Sequence, residues 1–287
     1  MFYLSRFSAT SLCLLFVLFL AVPKASAQSP TALHYRFSMD TTTALLHVTL
    51  QIKGGKTGKT VLELPGTWAG EEALYRAVKT ISVSGKNAVL ASGEDSSHRV
   101  ITHQPNAKLT ISYTLRQDWQ GRLEYPRNFR AVIQPSFIQF TGYSLFVVPQ
   151  LDPSAMVSVR LDWSAMPENW TIANSLHAKS RNFKGKLSAG DFKNAVYTAG
   201  DFRLHETRVK GKPVFVAMRG NEWLFTDSVF VTRIEAILTM ERRFWNDYSE
   251  PYYFVSLIPF EGRGSRNGTS LHQAFMLGMT TDVTVDA

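Results

Sequence analysis

Pro213-Val214-Phe215-Val216-Ala217-Met218, closed by Gly220, opens a run to Gly278 that alternates strand, helix and strand signals. After it, Thr226 or Asp227 caps a helix that the 3.6-residue apolar period carries to about Tyr248, before Pro251. Phe230, Ile234, Ile237, Leu238, Phe244, Trp245 and Tyr248 are read onto one face of that helix. Asp227 stands at its positive end, and Arg242 and Arg243 at its negative end. Tyr252 to Pro259 is a nearly continuous apolar strand. Gly262-Arg263-Gly264-Ser265-Arg266-Asn267-Gly268 reads as a glycine loop, and Gln273 to Met279 as one more strand. A strand–helix–strand order of this kind is α+β in character.

Working outward, the stretch from Ala32 to about Val209 carries a different signal, short alternating strands punctuated by turns. Tyr35–Met39, Leu46–Ile52, Val61–Leu64, Ile81–Ser84, Leu109–Leu115 and Val157–Trp163 alternate, and Phe137–Val148 is aromatic-rich and broken at Gly142. The expected fold is therefore a mainly β, sandwich-like amino-terminal domain followed by an α+β unit. The boundary falls near Ala199-Gly200, where Phe202–Val209 turns at Lys210-Gly211 into the strand at Val214.

Residues 1–27 have the form of a secretory signal: Arg6, an apolar segment Ser11–Val22, and Ala25-Ser26-Ala27 as the cleavage site. The apolar segment is too short to span a bilayer, so no integral span is expected after cleavage and the chain is placed in a periplasm or outside the cell. Cys13, the only cysteine, leaves with the signal. That excludes disulfides, thiol nucleophiles and cysteine metal ligands from the mature chain. The net charge of +8 is spread along the chain without a dense basic run, which argues against nucleic-acid binding. No pattern fixes an oligomeric state.

The chain resembles the amino-terminal half of glycyl-aminopeptidase-like zinc metallopeptidases, a branch of the gluzincin group. Val61-Leu62-Glu63-Leu64-Pro65-Gly66-Thr67-Trp68 is similar to that family's strand end in the β domain. Phe129-Arg130-Ala131-Val132 with Phe140-Thr141-Gly142-Tyr143-Ser144-Leu145-Phe146 is similar to its aromatic segment. The run from Ala199-Gly200-Asp201-Phe202 through Tyr253–Pro259 to Gly268-Thr269-Ser270-Leu271-His272 looks like the approach to its zinc site. The resemblance implies three parts: signal 1–27, β-rich domain 28–200, and the opening of a thermolysin-like catalytic domain at 201–287. It also implies that Gly268, Thr269, Ser270, Leu271 and His272 present backbone groups to a bound peptide. Where relatives carry an acidic residue for the substrate's amino terminus, this chain has Leu271 and His272.

The family's zinc is held by H-E-x-x-H, because histidines four apart share one helical face while the glutamate activates the bound water. This chain has no such motif. Its nearest match, His205-Glu206-Thr207-Arg208-Val209, ends in valine and lies in an expected hairpin. No catalytic or metal-ligating residue is therefore assigned, and zinc is expected only in a full-length relative. The chain alone is expected to be inactive, its peptide partner engaged only when the catalytic part is complete. His98 and His103 in a polar stretch are read as solvated loop, Glu71-Glu72 as a poor acid/base pair, and Trp68, Trp119, Trp163 and Trp170 as either a sugar-binding platform or core, with core packing favoured for at least two of them. The rival reading is a non-catalytic secreted β-sandwich module that binds a peptide, a glycan or an envelope partner.

Overall fold

The computed structural model describes residues 31–124, 127–177 and 179–285. The signal assigned to residues 1–27 lies outside them. The amino-terminal part contains β1 (Thr31–Asp40), β2 (Leu45–Lys53), β3 (Lys59–Glu63), β4 (Val78–Gly85), β5 (Val89–Ser92), β6 (His98–Thr102) and β7 (Lys108–Leu115). It continues with β8 (Val132–Gln134), β9 (Phe137–Thr141), helix α1 (Gly142–Leu145), β10 (Val148–Pro149), β11 (Met156–Ala165), β12 (Thr171–Asn174), β13 (Asn182–Ser188), helix α2 (Ala189–Lys193) and β14 (Val196–Gly200). The expected strands are present. His98, expected in a loop, instead begins β6, and His103 is buried just beyond that strand.

A six-stranded sheet, β13-β11-β1-β2-β7-β4, forms one wall of the sandwich. Two four-stranded sheets, β10-β3-β6-β5 and β12-β14-β9-β8, form the other. Alternate residues such as Leu33, Tyr35 and Phe37 on β1 and Leu46, Val48 and Leu50 on β2 fill the space between, which is the cause of the period-two pattern. Trp163 stacks on Phe37 with ring centroids 3.7 Å apart, so it serves the core. The chain breaks at Gly142 because α1 is pressed against α2: a β-carbon at Gly142 would lie 2.6 Å from the Phe192 carbonyl oxygen.

The carboxy-terminal part holds β15 (Arg203–Val209), β16 (Lys212–Met218), α3 (Asp227–Trp245), β17 (Tyr253–Phe260), β18 (Arg266–Leu271) and β19 (Ala274–Thr280). They make a five-stranded mixed sheet in the order β15-β16-β17-β19-β18. β15 and β16 form a hairpin whose two turn residues, Lys210 and Gly211, both have positive φ, as the twist of a two-residue hairpin requires. β16, β17 and β19 run parallel, with α3 as the crossover between the first two.

Two details differ from the sequence reading. The glycine loop ends at Ser265, and Arg266–Leu271 is a strand; its polar residues show no apolar alternation because it lies at a sheet edge. Helix α3 stops at Trp245, where Asn246 takes the left-handed conformation. Its buried stripe is Phe230, Ile234, Leu238 and Arg242, whereas Ile237, Phe244 and Trp245 are exposed, the last two 79% and 75%.

The sheet β12-β14-β9-β8 is buried on both faces. Ile138, Phe140, Tyr197 and Ala199 enter the sandwich core; Val132, Phe137, Ala173 and Val196 pack on Phe215, Ala217, Phe254, Ile258 and Met276 of the five-stranded sheet. Phe254 and Met276 are therefore covered by the β-rich part, whereas Phe275 faces the other side of the sheet. The opposite face of the five-stranded sheet packs on α3 through Val214, Val216, Met218, Val255 and Leu257.

Candidate functional site

The free edge of β18 is built by its hairpin with β19. Leu271 pairs with Ala274 across a two-residue turn, and Arg266 pairs with Met279. At the other end Thr280 N donates to the Ser265 carbonyl over 2.8 Å. Antiparallel alternation from these anchors commits the backbone groups of Ser265, Asn267, Thr269 and Leu271 to β19. The N–H and C=O groups of Arg266, Gly268 and Ser270 consequently face outward. β18 ends the sheet, so among the described residues these groups have no neighbouring strand.

The side chains divide between two walls. Leu271 joins the core under the β-rich part, and Asn267 Nδ2 donates to Asn128 Oδ1 over 3.1 Å. Asn128 is fully buried and follows a loop fixed by Arg130, whose guanidinium bonds Asp118, Glu71 (2.6 Å) and the Glu72 carbonyl (3.0 Å). Hydrogen bonds to Asp118 and Glu71 hold Arg130 even more firmly protonated than a free guanidinium. Glu71 is thus a structural anchor. On the other wall, Arg266 and Ser270 border an apolar groove of about 610 Å³ between α3 and β18. Its floor is Phe275, Leu277 and Met279. A β-carbon at Gly268 would lie 2.8 Å from Phe275 Cζ and 2.9 Å from Leu277 Cδ2, so a side chain there would displace the tips of these two side chains from under the edge.

Of the residues singled out from sequence, Gly268, Thr269, Ser270 and Leu271 lie together on β18. His272 is exposed in the turn, with Gln273 at positive φ beside it, beyond the strand. Arg266 was missed because it fell inside the supposed loop; the signal that would have found it is the Leu271/Ala274 hairpin, marked by neither glycine nor asparagine. A more open crevice of about 1020 Å³ lies at the carboxyl ends of β16, β17 and β19. Its charges are largely compensated: Arg219 pairs with Asp201 at 2.6 Å and covers the Phe137 ring, and Arg122 lies 3.6 Å from Glu261.

The described residues do not fit a zinc centre of the H-E-x-x-H kind. His205 lies on β15, at the opposite edge of the sheet, with Nε2 2.7 Å from Asp227 Oδ2. Among the described residues, the grouping of metal-ligand type is Glu94, Asp95 and His98, an exposed turn beside β6. There Ser97 and His98 already bond Asp95 and lower its carboxyl to about 2. No described helix is long and apolar enough to cross a membrane.

A solved aminopeptidase N family protein from Idiomarina loihiensis superposes with a TM-score of 0.69 over 87% of this chain, at 14% sequence identity. The chain spans 42% of that protein's length, and the likeness establishes the fold. No curated protein matches the chain. Residues 34–198, more than half of the sequence, match the Peptidase M61 N-terminal domain; the chain belongs to that family.

Proposed function

We propose that this chain is the amino-terminal portion of an exported zinc metallopeptidase of the glycyl-aminopeptidase-like, gluzincin type, and that β18 takes an extended peptide by strand addition. The observation that carries the reading is the outward-facing backbone of Arg266, Gly268 and Ser270, joined to a β-rich part of the Peptidase M61 N-terminal domain family. The five-stranded sheet with α3 is read as the opening of a thermolysin-like domain. Zinc and the water-activating glutamate are assigned to polypeptide outside residues 1–287, since no H-E-x-x-H occurs here. Residues 1–27 are assigned to export.

On this reading the chain orients a substrate backbone and shields it on the side of Asn128 and Leu271, but it activates no water. The test is to measure zinc by mass spectrometry and peptidase activity with and without chelator on the purified chain. The expected result is sub-stoichiometric zinc and no chelator-sensitive hydrolysis. One zinc per chain with chelator-sensitive activity would overturn it. The same free edge also supports a non-catalytic peptide-binding module, which the sequence of the source gene downstream of Ala287 separates: H-E-x-x-H in frame favours the peptidase.

A further inference from the structure

The walls of the β18 edge carry a chemistry that selects among peptides. This step rests on the strand-addition reading. An added strand pairs its alternate residues with Ser270, Gly268 and Arg266, and side chains of directly opposed residues share one face of the sheet. That face is the one bordering the apolar groove, because Arg266 and Ser270 line it. Opposite Gly268 the strand meets no side chain, only Phe275 and Leu277 leaning beneath. A large apolar side chain there covers the bare glycine and enters the groove, whose α3 wall is Ile237 and Met240.

Two residues along, the opposed position meets Arg266. The Arg266 side chain has no ion-pair or hydrogen-bond partner among the described residues, and neither has that of Arg233, which lines the same groove from α3. Antiparallel addition, the more stable pairing, directs the carboxyl end of the added strand toward these arginines. We propose that the β18 edge binds an extended peptide, antiparallel, in which a large apolar residue is followed two positions later by aspartate or glutamate. The apolar residue sits over Gly268 and the acid faces Arg266.

Isothermal titration calorimetry on the purified chain tests this with acetylated, amidated heptapeptides in a threonine background. The probe carries phenylalanine at its fourth position and glutamate at its sixth. Three controls replace that glutamate with lysine, replace the phenylalanine with alanine, or move the glutamate to the second position. The probe is expected to bind roughly fivefold or more tightly than each control. Arg266→Glu, at an exposed position, is expected to invert the glutamate–lysine preference while the circular dichroism spectrum stays the same. Equal affinities across the peptides, or a preference that survives Arg266→Glu, would overturn the proposed selectivity and leave strand addition standing. Absence of binding by every peptide would overturn both, whatever the zinc and activity measurements give.

Discussion

Gln139 shows how a single side chain records the junction between the two parts. It lies on β9, fully buried, and neither its amide nitrogen nor its oxygen meets a protein partner; Ser256 Oγ, on β17, is in the same position. A buried amide without partners costs about 1–3 kcal/mol. Gln139→Leu, close in volume and without polar atoms, is expected to raise Tm by a few degrees, on the order of 4 °C, in a differential scanning calorimetry trace. A fall in Tm would mean instead that the amide is bonded through water across the junction. Arg130 is the contrary case: its buried partner Asp118 is 4% exposed, and the pair is completed by Glu71 and two backbone carbonyls.

Among the elements, α3 was read most fully from the sequence and β18 least. Thr226 caps α3 by accepting from Val229 N, and Asp227 in the first turn accepts from Arg203 Nε (2.6 Å) and Nη2 (2.8 Å). The Arg203 guanidinium foremost, then His205, holds the Asp227 carboxyl below the usual range. A depressed folded pKa stabilises the fold at pH values above the unfolded value, about 4, and the contribution is lost as pH falls through the folded value. Asp227→Asn is therefore expected to lower Tm by roughly 2 °C at pH 7. The gap to the wild type should close below about pH 4; a gap that stayed constant with pH would assign the loss to something other than the charge. The cap of α3 was legible because it depends on local chemistry, whereas its end, read at about Tyr248, falls at Trp245 where Asn246 takes the left-handed conformation. Its exposed residues were not legible, because Phe244 and Trp245 fall in the helix's final turn and Ile237 lines the open groove, a circumstance set by the sheet beneath. β18 escaped because Arg266-Asn267-Gly268-Thr269-Ser270 carries no apolar alternation, and its turn relies on Gln273 at positive φ.

At the scale of the whole molecule, the strongly alternating strands of the β-rich part were legible, but their layering was not. Nothing in the period of β9 or β14 distinguishes a strand buried on one face from one buried on both, since Gln139 and Thr198 interrupt the apolar run. With a shared wall between the parts, the chain is expected to unfold in one transition, coincident by near- and far-ultraviolet circular dichroism; two separated transitions would contradict a continuous interior. The same wall governs how this protein can be recombined with its relatives. A chimera that joins the β-rich part of one protein to the sheet and helix of another at Gly200 cuts the polypeptide at a convenient turn, yet divides a packed interior. The seam to preserve is a surface, the face of β8, β9, β12 and β14 that carries Val132, Phe137, Ala173 and Val196, and those side chains must travel with Phe215, Phe254 and Ile258 whichever parent supplies the rest.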